Sequence, residues 1–100
     1  MSSAANKLIN PVRLKAATAV VRACAHPLRL KLLAYIHGKR KTNVNAIYRT
    51  LKIEQSVTSQ HLKILREANF VVTERDGKRI YYAVNYKQLK RISNLLQKYF

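Results

Sequence analysis

Acidic residues are the scarcest charged groups in this chain of 100 residues: four Asp and Glu stand against twenty Lys and Arg, a formal net charge of +16. All four acids (Glu54, Glu67, Glu74 and Asp76) lie between positions 54 and 76, so the first half carries no negative charge. Such an excess points to a polyanionic partner. Cysteine is represented only by Cys24, which excludes an intramolecular disulfide and fits a reducing cytoplasm. Two glycines cannot build a phosphate-cradling loop, and the acids, three histidines and lone cysteine form no recognisable catalytic or metal-ligand spacing. No enzyme activity, cofactor or metal site is therefore expected. Long apolar runs are missing as well, since Thr18 and Arg22 interrupt the longest, far short of the ~20 residues of a membrane span. The opening "MSSAANKLIN" has no apolar stretch of the secretory kind.

What remains is 48% hydrophobic, enough for one small domain with a modest core. Residues 1–10 read as a flexible arm and 11–100 as the folded unit. Pro11 suits a helix start, because the N–H it lacks would be unpaired there anyway, and "VRLKAATAVVRACA" continues with helical spacing. In "HPLRLKLLAYIHG", Pro27 suits the first turn and Gly38 the stop, with Leu28, Leu32 and Ile36 forming one buried stripe. Thr42 or Asn43 can cap a short third helix on which Val44, Ile47 and Leu51 repeat. A fourth helix runs to about Ala68 and ends at Asn69, a residue type that tolerates the left-handed conformation. The period then changes to two. "FVVTERDGKRIYYAV" is β-branched and aromatic on both sides of Asp76-Gly77, a two-residue hairpin turn that sets Glu74 across from Arg79 and Thr73 from Ile80. In the last helix Leu89, Ile92, Leu96 and Tyr99 recur at spacings of three and four, the seam of a paired helix.

On a helical wheel of residues 55–68, Val57, His61, Leu62, Ile64, Leu65 and Ala68 gather on one side, with Thr58 at the border. Gln55, Ser56, Ser59 and Gln60 face outward at the N-terminal end, and Lys63, Arg66 and Glu67 follow. A helix that enters the major groove by its N-terminal end needs such hydrogen-bonding side chains for base edges, whereas Lys and Arg around it hold phosphates without reading sequence. The same polar face also suits a merely solvated helix; the context decides. A short helix, a tight turn and this helix, followed by a basic hairpin with Arg75, Lys78 and Arg79, compose a winged helix-turn-helix. Double-stranded DNA is the expected partner. His61 points into the apolar arc and reads as a partly buried histidine.

Two stretches, "ACAHPLRLKLLAYI" (23–36) and "QSVTSQHLKILREANFVVTERDGKRIYYAV" (55–84), resemble the ArsR/SmtB family of small bacterial winged-helix repressors, and the likeness extends over roughly residues 12–99. The resemblance implies a mostly α fold of about five helices with a β-hairpin wing. It further implies a homodimer built on the first and last helices, through Val20, Leu89, Ile92, Leu96 and Tyr99, that binds an imperfect inverted repeat. Base readout would fall to Gln55, Ser56, Ser59 and Gln60, and backbone contact to Lys63, Arg75, Lys78 and Arg79. The family's metal-sensing patterns do not carry over: "NVNAIYRTL" has no cysteine, and no Asp, Glu, His or Cys follows Asp76. Cys24 reads as a buried small hydrophobe, with an intersubunit Cys24 pair or a site adding His26 as the alternatives. Lys52 stands where the family has a turn glycine, and Glu54 where a Ser would cap the fourth helix. The rival expectation is a sequence-indifferent, nucleoid-type DNA binder, favoured by charge alone. The inducer is unknown.

Overall fold

Proline sets two of the helix starts. In the computed structural model, which describes residues 11–99, α1 (Pro11–Ala25) begins on Pro11 and α2 (Pro27–Lys39) on Pro27. The expected arm, residues 1–10, lies outside the described residues. His26 caps α2: its backbone is extended and its Nδ1 accepts the Leu28 N–H at 3.1 Å. Gly38, read as the stop, lies inside the last turn instead. The chain leaves α2 at Arg40, whose φ of 67° centres a γ-turn in which the Lys41 N–H donates to the Lys39 carbonyl at 2.7 Å.

Of Thr42 and Asn43, the two candidate caps of the third helix, Asn43 takes that role, and both residues enter a strand that the sequence reading does not contain. They form a two-residue strand, β1 (Thr42–Asn43), and Asn43 also caps α3 (Val44–Leu51) by accepting the Ala46 N–H at 2.9 Å. The α3 helix ends on Lys52 in the left-handed region (φ 55°, ψ 48°), and the N–H groups of Lys52 and Ile53 both donate to the Tyr48 carbonyl. The chain re-enters helix at once as α4 (Gln55–Glu67), then turns at Asn69, where φ is 65° as expected of its type.

A hairpin of β2 (Val71–Asp76) and β3 (Arg79–Val84) follows, and α5 (Tyr86–Tyr99) closes the described chain. The strands make a three-stranded antiparallel sheet in the order β1-β3-β2. The hairpin register differs from the sequence expectation. Asp76 pairs with Arg79, Glu74 with Tyr81 and Thr73 with Tyr82, so the loop is Gly77-Lys78 and not Asp76-Gly77. Gly77 has φ 63° while Lys78 does not enter the positive region, the arrangement in which a two-residue II′ loop takes glycine first. The pairing moves by two residues, which preserves which side chains share a face. Glu74 therefore loses Arg79 as its neighbour and meets Lys41 instead, Nζ to Oε2 at 3.4 Å.

The core sits where α2, α3 and α4 meet the base of the hairpin. Leu32, Ile36, Ile47, Leu65 and Phe70 have no exposed surface, and Leu62, Val71, Val84 and Ile92 are nearly as deep. Burying each such side chain contributes roughly 1.5–3 kcal/mol. Leu28, the first residue of the expected α2 stripe, is only half-buried at its rim. Thr58, read as a border residue, is fully buried, because its position continues the Leu62 and Leu65 stripe one turn toward the N-terminus.

Candidate nucleic-acid interface

The outer face of α4 follows from its inner one. Thr58, Leu62 and Leu65 are fixed in the core, with Val57 and Ile64 half-buried beside them, so Gln55, Ser56, Ser59 and Gln60 are all exposed on the opposite side near the N-terminus. Lys63 is exposed further along the same helix. None of the four leading residues carries charge. They offer hydroxyl and amide groups, which match base-edge donors and acceptors in both roles.

Glu54 occupies the N-cap position of α4 but makes no side-chain cap hydrogen bond. The orphan N–H groups of the first turn thus lack the acceptor that Ser or Asp would supply, and a carboxylate stands at the entrance to the face.

His61 belongs to the inner side. It is half-buried, its ring centroid lies 4.9 Å from that of His26, and its Nδ1 is buried without a partner. Loss of hydration, aided by the nearby charges of His26 and Arg29, pushes its pKa below the usual 6.5, so the ring is held neutral. Cys24 is half-buried, and its Sγ donates to the Val21 carbonyl at 3.4 Å. Burial pushes its thiol pKa up, which keeps it protonated and a poor nucleophile. Among the described residues no three His, Cys, Asp or Glu side chains lie close enough together to hold a metal ion.

The hairpin carries Arg75, Lys78 and Arg79 on exposed positions around Gly77. Beside it the structure adds two cations that sequence reasoning missed. Arg49 of α3 lines a cleft of about 500 Å³ together with Lys78, Arg79 and Tyr82, and no acid lines it. Lys41 lies 5.1 Å from the Tyr81 ring centre while bridging to Glu74, which ties the hairpin to β1. The signal for Arg49 was its place on the polar side of α3; what hid it was the chain separation from the hairpin.

Helix and hairpin are also fastened to each other at the hairpin's base. The Asn85 side chain donates from Nδ2 to the Asn69 carbonyl at 2.9 Å, its backbone N–H donates to the Phe70 carbonyl, and Gln88 Nε2 donates to the Ala68 carbonyl at 2.8 Å. The last carbonyls of α4 accept from the N–H groups of Ala68, Asn69 and Phe70, and the carbonyls of those three residues are in turn held by Asn85 and by Gln88 of α5.

The residues expected to pair subunits are divided. Ile92 is 5% exposed and packs within its own chain, as do half-buried Val20 and Leu89, whereas Leu96 is 39% exposed and Tyr99 is the last residue of α5.

Against known proteins, residues 25–74 match a family model described as a helix-turn-helix domain. The chain is 35% identical to the transcriptional repressor PagR of Bacillus anthracis over 77 residues, which is 77% of each protein. It is 35% identical to the biofilm growth-associated repressor of Agrobacterium fabrum, covering 86% of this chain and 75% of that one. Its fold superposes on the crystal structure of NolR from Sinorhizobium fredii with a TM-score of 0.71 at 33% identity, covering 87% of each chain.

Proposed function

Because this chain belongs to the ArsR/SmtB family of winged-helix transcriptional regulators, and is a DNA-binding regulator of transcription, we propose that it acts in the cytoplasm as a homodimeric repressor seated on an inverted-repeat operator. Gln55, Ser56, Ser59 and Gln60 read bases in the major groove. Lys63, Arg75, Lys78 and Arg79, with Arg49 beside the hairpin, hold the phosphates of the same half-site. A second copy pairs across the outer side of α1 and α5, where Leu96 is exposed, and sets the two reading helices about one DNA turn apart.

One observation carries this reading: in a chain of net charge +16, the exposed N-terminal face of α4 holds four neutral hydrogen-bonding side chains. A surface made only to neutralise phosphates would place Lys or Arg there. The same face speaks against a nucleoid-type binder. The test is selection from random duplex DNA at about physiological salt, followed by sequencing. An enriched inverted repeat with half-sites one turn apart is expected. Retention of DNA without any enriched sequence would refute specific readout, and an enriched single half-site would refute the dimer.

A further inference from the structure

Behind the reading face, two histidines from different helices meet. His26, the cap of α2, and His61, on the inner side of α4, have ring centroids 4.9 Å apart with planes tilted by 40°. Because His26 Nδ1 accepts the Leu28 N–H, the hydrogen of its neutral ring stands on Nε2. His61 Nδ1 is buried without a partner, and so is Arg29 Nε, whose Nη2 donates to the Arg22 carbonyl at 3.3 Å. Among the described residues no carboxylate pairs with His26, Arg29 or His61. Of the elements packed on α4, α2 brings Arg29 with its cap His26, the end of α1 brings Arg22 and Cys24, and α3 brings Arg49. The acids of β2, Glu74 and Asp76, are exposed beyond Val71, and on α4 itself Glu54, Lys63, Arg66 and Glu67 are exposed. A proton on His61 therefore meets lost hydration and two positive neighbours, His26 and Arg29, with no acceptor for the buried N–H it creates.

This pair bears on the face in front of it. Glu54 leaves the start of α4 without a side-chain cap, so Val57, Thr58, His61 and Leu62 seat its first two turns, which also carry Ser59 and Gln60. We propose that His61 positions the reading face through a proton-sensitive seat. The neutral rings in contact hold the N-terminal half of α4 in place; protonation of His61 parts them, loosens that half and lowers discrimination between the operator and other DNA. The effect on DNA rests on the repressor reading above, whereas the loosening does not. The seated form disfavours the proton and the loosened form accepts it, so the seat is intact above about pH 6.5 and is lost as pH falls below it.

Two measurements on the full chain test this. Without DNA, amide hydrogen exchange, corrected for its intrinsic pH dependence, is followed between about pH 7 and 5.5. Protection at Thr58, Ser59 and Gln60 is expected to fall at least about fivefold, while the central amides of α2 keep theirs. Equal loss in both helices would mean general destabilisation and overturn the seat. His61→Phe keeps a ring there that takes no proton, and its protection is expected to stay constant. His26→Asn keeps a capping acceptor for α2 without the second imidazole, and is expected to show a smaller loss than the parent chain. His37→Gln removes the remaining histidine and is expected to change nothing; circular dichroism confirms that each variant is folded. A loss that persists in His61→Phe, or disappears in His37→Gln, would overturn the assignment to His61. With DNA, the ratio of affinities for a selected operator and a random duplex cancels the general gain from added positive charge. That ratio is expected to fall at least about fivefold over the same range in the parent chain and to stay constant in His61→Phe. A constant ratio in the parent chain beside lost protection would overturn the link to readout. Absence of operator preference at every pH would fall on the repressor reading alone, because the exchange result decides the seat without DNA.

Discussion

Lys52 is a β-carbon-bearing residue held at φ 55°, ψ 48° in the turn between the two helices of the DNA-binding motif, and replacing it with glycine tests whether that turn is strained. For an L-residue the left-handed conformation costs roughly 1–2 kcal/mol, because Cβ crowds the following carbonyl oxygen. Glycine removes that cost but adds about 0.5–1 kcal/mol of unfolded-state entropy. Lys52→Gly is thus expected to stabilise the fold by about 0.5–1 kcal/mol, which for a domain of this size raises Tm by roughly 2–8 °C. Thermal unfolding followed by circular dichroism measures it. Lys52→Ala is the control: it removes the same ammonium and keeps Cβ, so it gains nothing from the turn. If the alanine variant is stabilised as much as the glycine one, the gain comes from relieved charge repulsion and the strain reasoning is wrong. Any loss of DNA affinity from the missing ammonium has to be equal in both variants.

Three further expectations concern the interface. Glu54→Ser supplies the missing cap of α4, worth about 1 kcal/mol less what the lost charge contributed at the helix N-terminus, and removes a carboxylate beside the reading face. Operator affinity is expected to rise; an unchanged or weaker titration would contradict the placement of Glu54 beside DNA. Gln60→Ala is expected to lose about 1–3 kcal/mol of discrimination between operators, while Lys78→Ala weakens all DNA alike and lowers the salt slope by about one. Equal losses on every sequence in both variants would refute that division. His61 has a pKa below 6.5 in the fold, so the unfolded chain takes up its proton first as pH falls. Its share of stability is therefore intact above about pH 6.5 and declines below it, and His61→Leu is expected to flatten that part of the urea-midpoint profile between about pH 7 and 5.

Much of this was legible from residue types alone. The stripe of Leu32 and Ile36, the period change after Asn69 and the neutral face of α4 all follow from spacing, because burial on one face forces it. The misreadings fall where burial exerts no such force. Along β2 only Val71 is buried, so no apolar face pinned the register, and both Asp-Gly and Gly-Lys satisfy the chemistry of a two-residue loop. β1 is two residues long, too short for any period, and is defined by a partner almost forty positions away. Thr58 stands at the border of the helical wheel, and its place one turn from Leu62 on the inner stripe decides its burial. The place of Arg49 beside the hairpin and the contact of His26 with His61 exist only through tertiary packing.

The hydrogen bonds from Asn85 and Gln88 to the residues just past α4 have a consequence for how an operator can evolve. They tie the residues that follow α4 to the base of the hairpin, and on the proposed reading this sets the span between the stretch under Gln55–Gln60 and the stretch under Gly77. Point substitutions under either stretch change single contacts, which a population can lose and regain gradually. Insertion of one base pair between them shifts one contact set about 3.4 Å along the duplex axis and about a tenth of a turn round it. On that reading the protein's binding sites are expected to drift by substitution and to resist insertions or deletions within a half-site.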